Sequence, residues 1–335
     1  MGALTNNKQL YQIDALKGVA ALLVCFQHAA GTGFVSGYLL AISRIAVPVF
    51  MIITGFLYQN VRERRKENSQ IFKYAKIALF MFLIYFIYEC MLHLVRKDIL
   101  LYFYETFSLK GLRDFLLFNK PYAADHSWYL WAMIYSLLIL KAFPPIFENN
   151  RVRRVTIIVT LCMQLIFGKY ALVFWGREYS SIITRNIWFV GLPYVLIGIG
   201  MKKEYERMKD MPWAILSVAF IVLNCLERFI LICLNVNAAR DSYISTVFLA
   251  VAVFMLFYQS NRFKQQSKLV EFGALYSLPF YILHPFFVKI EVRVFNMNSL
   301  WQYVGVAFVI GGTMATIFLC NYVCHRIKRR DTFEY

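Results

Sequence analysis

Lys17 and His28 are ionisable residues inside the first apolar stretch of the chain, IDALKGVAALLVCFQHAAG. Eleven helical steps of about 100° return to within about 20° of the starting direction. The two side chains therefore share one stripe of a predicted helix, about 16 Å apart along its axis. An imidazole titrates near neutral pH, so His28 is a candidate general base or nucleophile. A snorkelling lysine and a packed core histidine are the structural alternatives.

Two more groups of polar or aromatic side chains stand at the ends of apolar segments. Lys73 and Lys76 share a helix face in IFKYAKIALF, where they either mark the cytoplasmic end of a span or hold a phosphate group. His126 opens the segment DHSWYLWAMIYSLL. Its neighbours Trp128 and Trp131 fit either an interfacial aromatic belt or a surface on which a sugar stacks.

His284 lies between Pro279 and Pro285 in the segment ALYSLPFYILHPFF. Two prolines are expected to break or bend the predicted helix, which membrane proteins tolerate where a helix lines a cavity or is repaired by its neighbours. His284 is therefore a candidate supporting residue of an internal site.

Three carboxylates lie in or near apolar segments, and a general base needs a partner that orients it. Asp14 is about 21 Å of helix rise from His28, so it is a candidate supporting residue but not the partner of His28. That partner is expected on another helix, with Glu89 and Glu227 as hypotheses. Both also fit a structural role as partners of other helices.

Membrane-spanning helices are the elements that must position these residues. Hydrophobic residues make up 60% of the chain and charged residues 16%, whereas soluble domains carry about a quarter charged residues. Apolar runs of about 20 residues, the length that crosses a layer roughly 30 Å thick, recur along the sequence. The ten predicted spans are 12–31, 39–58, 72–94, 127–143, 154–174, 185–201, 212–233, 243–260, 271–290 and 301–325. The sequence therefore predicts an all-α, polytopic membrane helix bundle.

Lys and Arg cluster on one side of the membrane if the ten spans alternate. The clusters are Arg62, Arg64, Arg65 and Lys66; Arg151, Arg153 and Arg154; Lys202, Lys203, Arg207 and Lys209; Arg262, Lys264 and Lys268; and Arg326, Lys328, Arg329 and Arg330. Such loops are typically cytoplasmic, so both termini are predicted to be cytoplasmic. Membrane topology thus explains the net charge of +17, and no nucleic-acid partner is expected.

The chain is predicted to be one membrane domain over residues 1–335, with no appended soluble domain. The segment 98–119 mixes aromatic and charged residues, so it is predicted to be an amphipathic surface or re-entrant segment. The first apolar stretch carries charges and lacks a cleavage site, so it is predicted to be a retained helix. The seven cysteines form no CxxC pair, so neither a metal site nor a disulfide framework is predicted.

The sequence resembles acyltransferase family 3, membrane proteins that O-acylate lipopolysaccharide, capsule and peptidoglycan sugars. IDALKGVAALLVCFQH is similar to its first-span pattern of a basic residue, ten residues and a histidine. VPVFMIITGFLY is similar to its second-span signature, with Thr54 where serine is usual, and KYAK to its paired basic residues, with Lys73 where arginine is usual. SWYLWAMI and YSLPFYILHPF resemble its fourth-span and late-span segments, so the resemblance runs from about Tyr11 to Phe287.

The resemblance implies acyl transfer across the cell membrane of a bacterium, from cytosolic acetyl-CoA or another acyl-CoA to a lipid-linked or polymeric sugar. Acyl-CoA is then a co-substrate, and no tightly bound cofactor is expected. The residues that fit these roles are His28 for catalysis, Lys17, Lys73 and Lys76 for donor binding, and His126, Trp128 and Trp131 for acceptor binding. Lysine does not form the forked contact of arginine with phosphate, so Lys73 would act as a point charge.

Two alternatives to an O-acetyltransferase remain open from the sequence. The same fold could transfer a succinyl or other short acyl group. A multi-span transporter of a glycan or small solute would also carry broken helices and charges inside spans, although no inverted repeat is evident. Some relatives carry an extracytoplasmic hydrolase-like domain that completes transfer. Without one, this chain is expected to acylate the acceptor itself or to hand the group to a separate protein.

Overall fold

The computed structural model describes residues 10–29, 34–121, 123–238, 242–294 and 301–331. These ranges are largely helical and contain no β-strand, which confirms the predicted all-α class. Two compact units are present: the first consists of residues 1–46 and 252–335, and the second of residues 47–251. Because the first unit combines both ends of the chain, this division does not follow the sequence order of two domains. The single domain over residues 1–335 stays a prediction.

The first unit is built around helix α1, which packs against the last helices of the chain. The helices that lie in this unit are α1 (Tyr11–Ala29), α2 (Phe34–Ser43), α16 (Lys268–Glu271), α17 (Ser277–Val294) and α18 (Trp301–Asp331). A π-helical segment, Phe272–Tyr276, joins α16 to α17. The unit boundaries fall at the start of α3 (Ala46–Glu63) and inside α15 (Ile244–Tyr258).

Besides most of α3 and the first part of α15, the second unit contains the other helices of the described residues. They are α4 (Glu67–Arg96), α5 (Ile99–Thr106), α6 (Leu109–Phe118), α7 (Trp128–Ala142), α8 (Pro145–Glu148), α9 (Asn150–Phe167), α10 (Ala171–Trp175), α11 (Ser181–Thr184), α12 (Leu192–Lys203), α13 (Tyr205–Met208) and α14 (Trp213–Cys233). A π-helical segment, Ile187–Gly191, precedes α12.

Helices α3 and α12 approach each other at two glycines. A Cβ atom at Gly55 would lie 1.9 Å from the carbonyl oxygen of Val195, and one at Gly198 would lie 2.2 Å from the carbonyl oxygen of Ile52. Backbone approach through small residues is the usual way in which membrane helices pack. Gly55 belongs to the TGF segment of the second predicted span. This contact explains why that position needs a residue without a side chain.

Each of the ten predicted spans coincides with a helix or a pair of consecutive helical segments. Five helical runs are long and apolar enough to cross a membrane: Val35–Glu63, Glu67–Arg96, Ser181–Lys203, Trp213–Cys233 and Val304–Val323. The count of ten and the cytoplasmic location of both termini stay predictions, and residues 1–9 and 332–335 lie outside the described ranges. The segment 98–119 forms α5 and α6, of eight and ten residues, which are too short to span.

Of the two outcomes expected for the prolines of the ninth span, a break is wrong, and a bend stays a prediction. Helix α17 is continuous from Ser277 to Val294 and contains Pro285. Neighbouring helices and local adjustments satisfy the backbone groups that a proline frees inside a membrane bundle. The second predicted span, in contrast, is interrupted by a turn at Arg44 and Ile45, between α2 and α3.

Candidate functional site

His28 and His284 lie side by side in the first unit. Their ring centroids are 5.6 Å apart and the ring planes are inclined by 40°. His284 is fully buried, and its Nδ1 lies 3.2 Å from the carbonyl oxygen of Phe280. A carbonyl only accepts, so Nδ1 donates and Nε2 is the basic nitrogen of the neutral ring. His28 is exposed, so one imidazole is accessible and its neighbour is enclosed.

The backbone contact between α1 and the π-helical segment fixes the position of this pair. A Cβ atom at Gly273 would lie 1.6 Å from the carbonyl oxygen of Asp14, and one at Gly18 would lie 3.0 Å from that of Leu269. Only glycine allows so close an approach at Gly273. π-Helical turns recur at functional sites because the wider turn rotates the following helix. Here the turn precedes the helix that carries His284.

Glu291 is a buried carboxylate beside the C-terminal end of α1 that the sequence analysis did not select. It follows His284 by seven residues, or about two helical turns, so the two side chains share a face of α17. A Cβ atom at Gly305 would lie 1.8 Å from Glu291 Oε1 and 3.6 Å from the Ala29 carbonyl oxygen. The carboxylate therefore lies beside the last residue of α1. Helix C-termini carry partial negative charge, so a proton or a cation stabilises a carboxylate there.

Asp14 and Lys17 form an ion pair within α1, with a distance of 3.0 Å between Lys17 Nζ and Asp14 Oδ1. Asp14 is 8% exposed, and the Lys17 side chain keeps a third of its surface accessible. Asp14 thus contacts Lys17, and its supporting role in the site stays a prediction. Donor binding by Lys17 stays a prediction.

The second unit carries the other predicted donor-binding residues on α4. Lys73 and Lys76 are both exposed near its first turns, and Lys76 Nζ lies 4.5 Å from the centroid of the Phe72 ring. Glu89 is half-buried further along the same helix. Exposed lysines at a helix end fit both phosphate binding and topology signalling, so their role stays a prediction.

The predicted acceptor residues lie where α4, α6 and α7 meet. His126 is half-buried and its ring packs edge-on against Tyr85 of α4, with centroids 4.4 Å apart. It is therefore anchored and is not an ordinary exposed loop residue. Trp131 packs edge-on against Phe115 of α6 at 4.9 Å. It lines an apolar cavity of about 180 Å³ beside α4.

Asn119 fixes the start of α7, where Trp128 lies half-buried. Its side-chain nitrogen donates to the Trp128 carbonyl oxygen at 3.0 Å, and its side-chain oxygen accepts from the Ile187 amide at 2.6 Å. Asn119 has a φ of 48°, a left-handed conformation that asparagine tolerates better than most residues. One buried amide thus joins three segments around the candidate acceptor residues.

Glu227 is not available as the partner of a catalytic base. Its carboxylate accepts from the Ile244 and Ser245 amides at 2.8 and 3.0 Å and from the Ser245 hydroxyl at 2.5 Å. It therefore caps the N-terminus of α15, where a negative charge is favourable. Within the described residues, no three His, Cys, Asp or Glu side chains come close enough to hold a metal ion.

Comparison with known proteins finds a match to a family model. The family model described as an acyltransferase domain, acyltransferase family 3, matches residues 10–325 of the chain. The matched range includes both imidazoles and every predicted site residue. No curated protein and no solved structure matches the sequence.

Proposed function

This chain belongs to acyltransferase family 3 and is an acyltransferase, and we propose that it transfers an acetyl group from cytosolic acetyl-CoA to a sugar hydroxyl. Its apolar helices and its family indicate a membrane protein, and we place it in the cell membrane of a bacterium. The acceptor in this proposal is a cell-surface or lipid-linked glycan.

The observation that carries the proposal is the pair of imidazoles 5.6 Å apart. Two adjacent imidazolium ions would repel each other, so one ring stays neutral when the other is charged. A neutral imidazole at the accessible position is suited to remove a proton from a hydroxyl group. His28 is the accessible ring, and we assign catalysis to it.

In the proposed reaction the sugar hydroxyl gives its proton to His28 as its oxygen attacks the thioester carbonyl. The new C–O ester bond forms and the C–S bond breaks. The imidazolium then returns the proton to the CoA thiolate, which leaves as the free thiol. Glu291, beside the end of α1, stabilises the transient positive charge. A covalent acyl-histidine intermediate at His28 is the alternative route, and both routes require the imidazole.

The remaining predicted residues receive roles in substrate binding. Lys17, Lys73 and Lys76 attract the phosphate groups of CoA as point charges. Trp131 presents a ring to an apolar cavity, and an aromatic surface of this kind suits one face of a sugar. His126 and Trp128 complete this acceptor region.

Reconstitution of the purified protein in liposomes tests the proposal. Labelled acetyl-CoA is supplied on the cytoplasmic side with a glycan acceptor on the other, and succinyl-CoA is supplied in a parallel reaction. We expect alkali-labile label on the glycan from acetyl-CoA. Transfer from succinyl-CoA alone would replace the acetyl assignment, and hydrolysis of the donor without glycan labelling would refute the acceptor class.

A further inference from the structure

A cavity of about 500 Å³ in the second unit lies among α9, α12, α14 and α15 and is separate from every residue assigned above. Its charged lining consists of Arg153, Arg154 and Glu204, and the remaining lining residues are apolar. The apolar lining includes Leu161, Met208, Trp213, Leu216 and Phe220. The cavity is thus amphipathic, with its charges confined to one end.

Two arginines and one carboxylate form the charged end. Arg153 is 1% exposed and donates to the Phe147 carbonyl oxygen, to Asn150 Oδ1 and to Glu204. Arg154 donates to Glu204 Oε1 at 2.9 Å and leaves 59% of its side chain exposed. The Arg154 hydrogen bond lowers the pKa of the Glu204 carboxyl, so the carboxylate is charged at neutral pH. The net charge of this end is therefore +1, with Arg154 as its accessible cation.

The apolar end extends away from these charges along two helices. Arg154 to Leu161 and Trp213 to Phe220 are each seven residues, or about 10 Å of helix rise. Three methionines line the cavity, and their unbranched side chains adapt to an irregular occupant. Trp213, whose indole N–H donates to the Met208 carbonyl oxygen at 2.8 Å, is of the residue type enriched at membrane interfaces.

We propose that this cavity is a binding site for an anionic phospholipid that carries a single phosphodiester charge. The phosphate contacts Arg154, and an acyl chain occupies the apolar end. One negative charge matches the net +1 of the lining, and the hydrocarbon matches the apolar wall. A nucleotide ligand such as CoA brings several charges and polar rings, for which the lining offers no further polar side chain. The distribution of Lys and Arg predicts that this end is cytoplasmic, where anionic headgroups attract cations.

Direct binding measurements test the site independently of acyl transfer. The purified full chain in detergent is titrated with phosphatidylglycerol and with phosphatidylcholine, and retained lipid is measured by native mass spectrometry. Arg154→Gln removes the accessible cation, and Leu216→Trp fills the apolar end without a change in charge. Arg151→Gln is the matched control, because Arg151 is exposed on the same turn of α9 but does not line the cavity.

We expect phosphatidylglycerol to bind the unaltered protein more tightly than phosphatidylcholine. Arg154→Gln should weaken phosphatidylglycerol binding about fivefold. This is the effect expected from removing one cation near an anionic headgroup. Leu216→Trp should weaken the binding of both lipids, and Arg151→Gln should change neither. Equal affinity for both lipids, an equal loss in Arg151→Gln, or unaltered binding in Leu216→Trp overturns the proposal, as does displacement of the lipid by acetyl-CoA. Thermal unfolding of each variant confirms that it is folded.

Discussion

The close packing of α1 against α16 and the π-helical segment makes a graded prediction for two glycines, with a third glycine in α18 as the control. An alanine at Gly273 would place its Cβ atom 1.6 Å from the carbonyl oxygen of Asp14. An alanine at Gly18 would place its Cβ atom 3.0 Å from the carbonyl oxygen of Leu269. The Cβ atom of an alanine at Gly311 would meet no atom within 4 Å. Nonbonded carbon and oxygen atoms lie more than about 3 Å apart, so Gly273→Ala forces the two segments to separate by about 1.5 Å. Gly18→Ala requires only a small adjustment.

This separation should reduce both stability and activity. Overpacking of this kind typically costs about 1–3 kcal/mol, and a displacement of about 1 Å at a reacting group can cost about 100-fold in rate. We expect the thermal stability in detergent to fall most for Gly273→Ala and slightly for Gly18→Ala. Gly311→Ala, the control in an open helical position, should be neutral or stabilising by about 0.5–1 kcal/mol. Turnover of acetyl-CoA should fall in the same order.

The reasoning would be refuted by a Gly273→Ala protein with the thermal stability and turnover of the unaltered chain. It would also be refuted if Gly311→Ala were as damaging as Gly273→Ala. The loss of stability and turnover would then come from replacing any helical glycine and not from the packing at Gly273. A stable Gly273→Ala protein with low turnover would support the positioning of the imidazoles specifically.

Four more predictions concern chemistry and topology. His28→Gln should insert normally and lower kcat by about 10²–10⁴-fold, and near-normal acylation at pH 7 would exclude the catalytic role. Glu291→Gln, which keeps the side-chain volume, should lower kcat without raising the donor KM, whereas an unaltered kcat would leave Glu291 a packing residue. Lys73→Ala should raise the donor KM more than it lowers kcat, and an unaltered donor dependence would reduce Lys73 to a topology signal. Cysteine labelling near Arg153 should place that loop in the cytoplasm, and external labelling would exclude the ten-span topology.

The helical architecture was predictable because apolar length and charge are local properties of the sequence. The positions of α4, α7 and α14 were predicted from apolar stretches whose length and low charge are visible in the sequence. The turn at Arg44 and Ile45 was missed, because a single charge between apolar residues does not distinguish a turn from a continuous span. The continuity of α17 through Pro285 was missed for a related reason, since the neighbours that repair a proline are tertiary.

The candidate site was predictable in its residue types but not in its pairings. His28 and His284 were both selected from the sequence, yet 256 positions separate them, and only packing brings them together. Glu291 was missed because the predicted span ended at residue 290, although its seven-residue spacing from His284 was a usable signal. The structural alternative for Glu227, a partner on another helix, is confirmed by its contacts with α15. Two of the three contacts are with backbone amides, which carry no sequence signature.

The ion pair inside α1 has a consequence for how the chain enters the membrane. Asp14 and Lys17 are three residues apart on one helix, so the pair forms without a contribution from any other helix. An isolated charged residue costs up to about 2.5–3.5 kcal/mol when it lies at the centre of an inserting helix, and mutual neutralisation reduces the cost of inserting α1. A Lys17 whose charge is neutralised by Asp14 also contributes less to the orientation of α1 across the membrane. In the predicted topology, the basic residues after α3, Arg62 to Lys66, are then a stronger signal for orientation than Lys17.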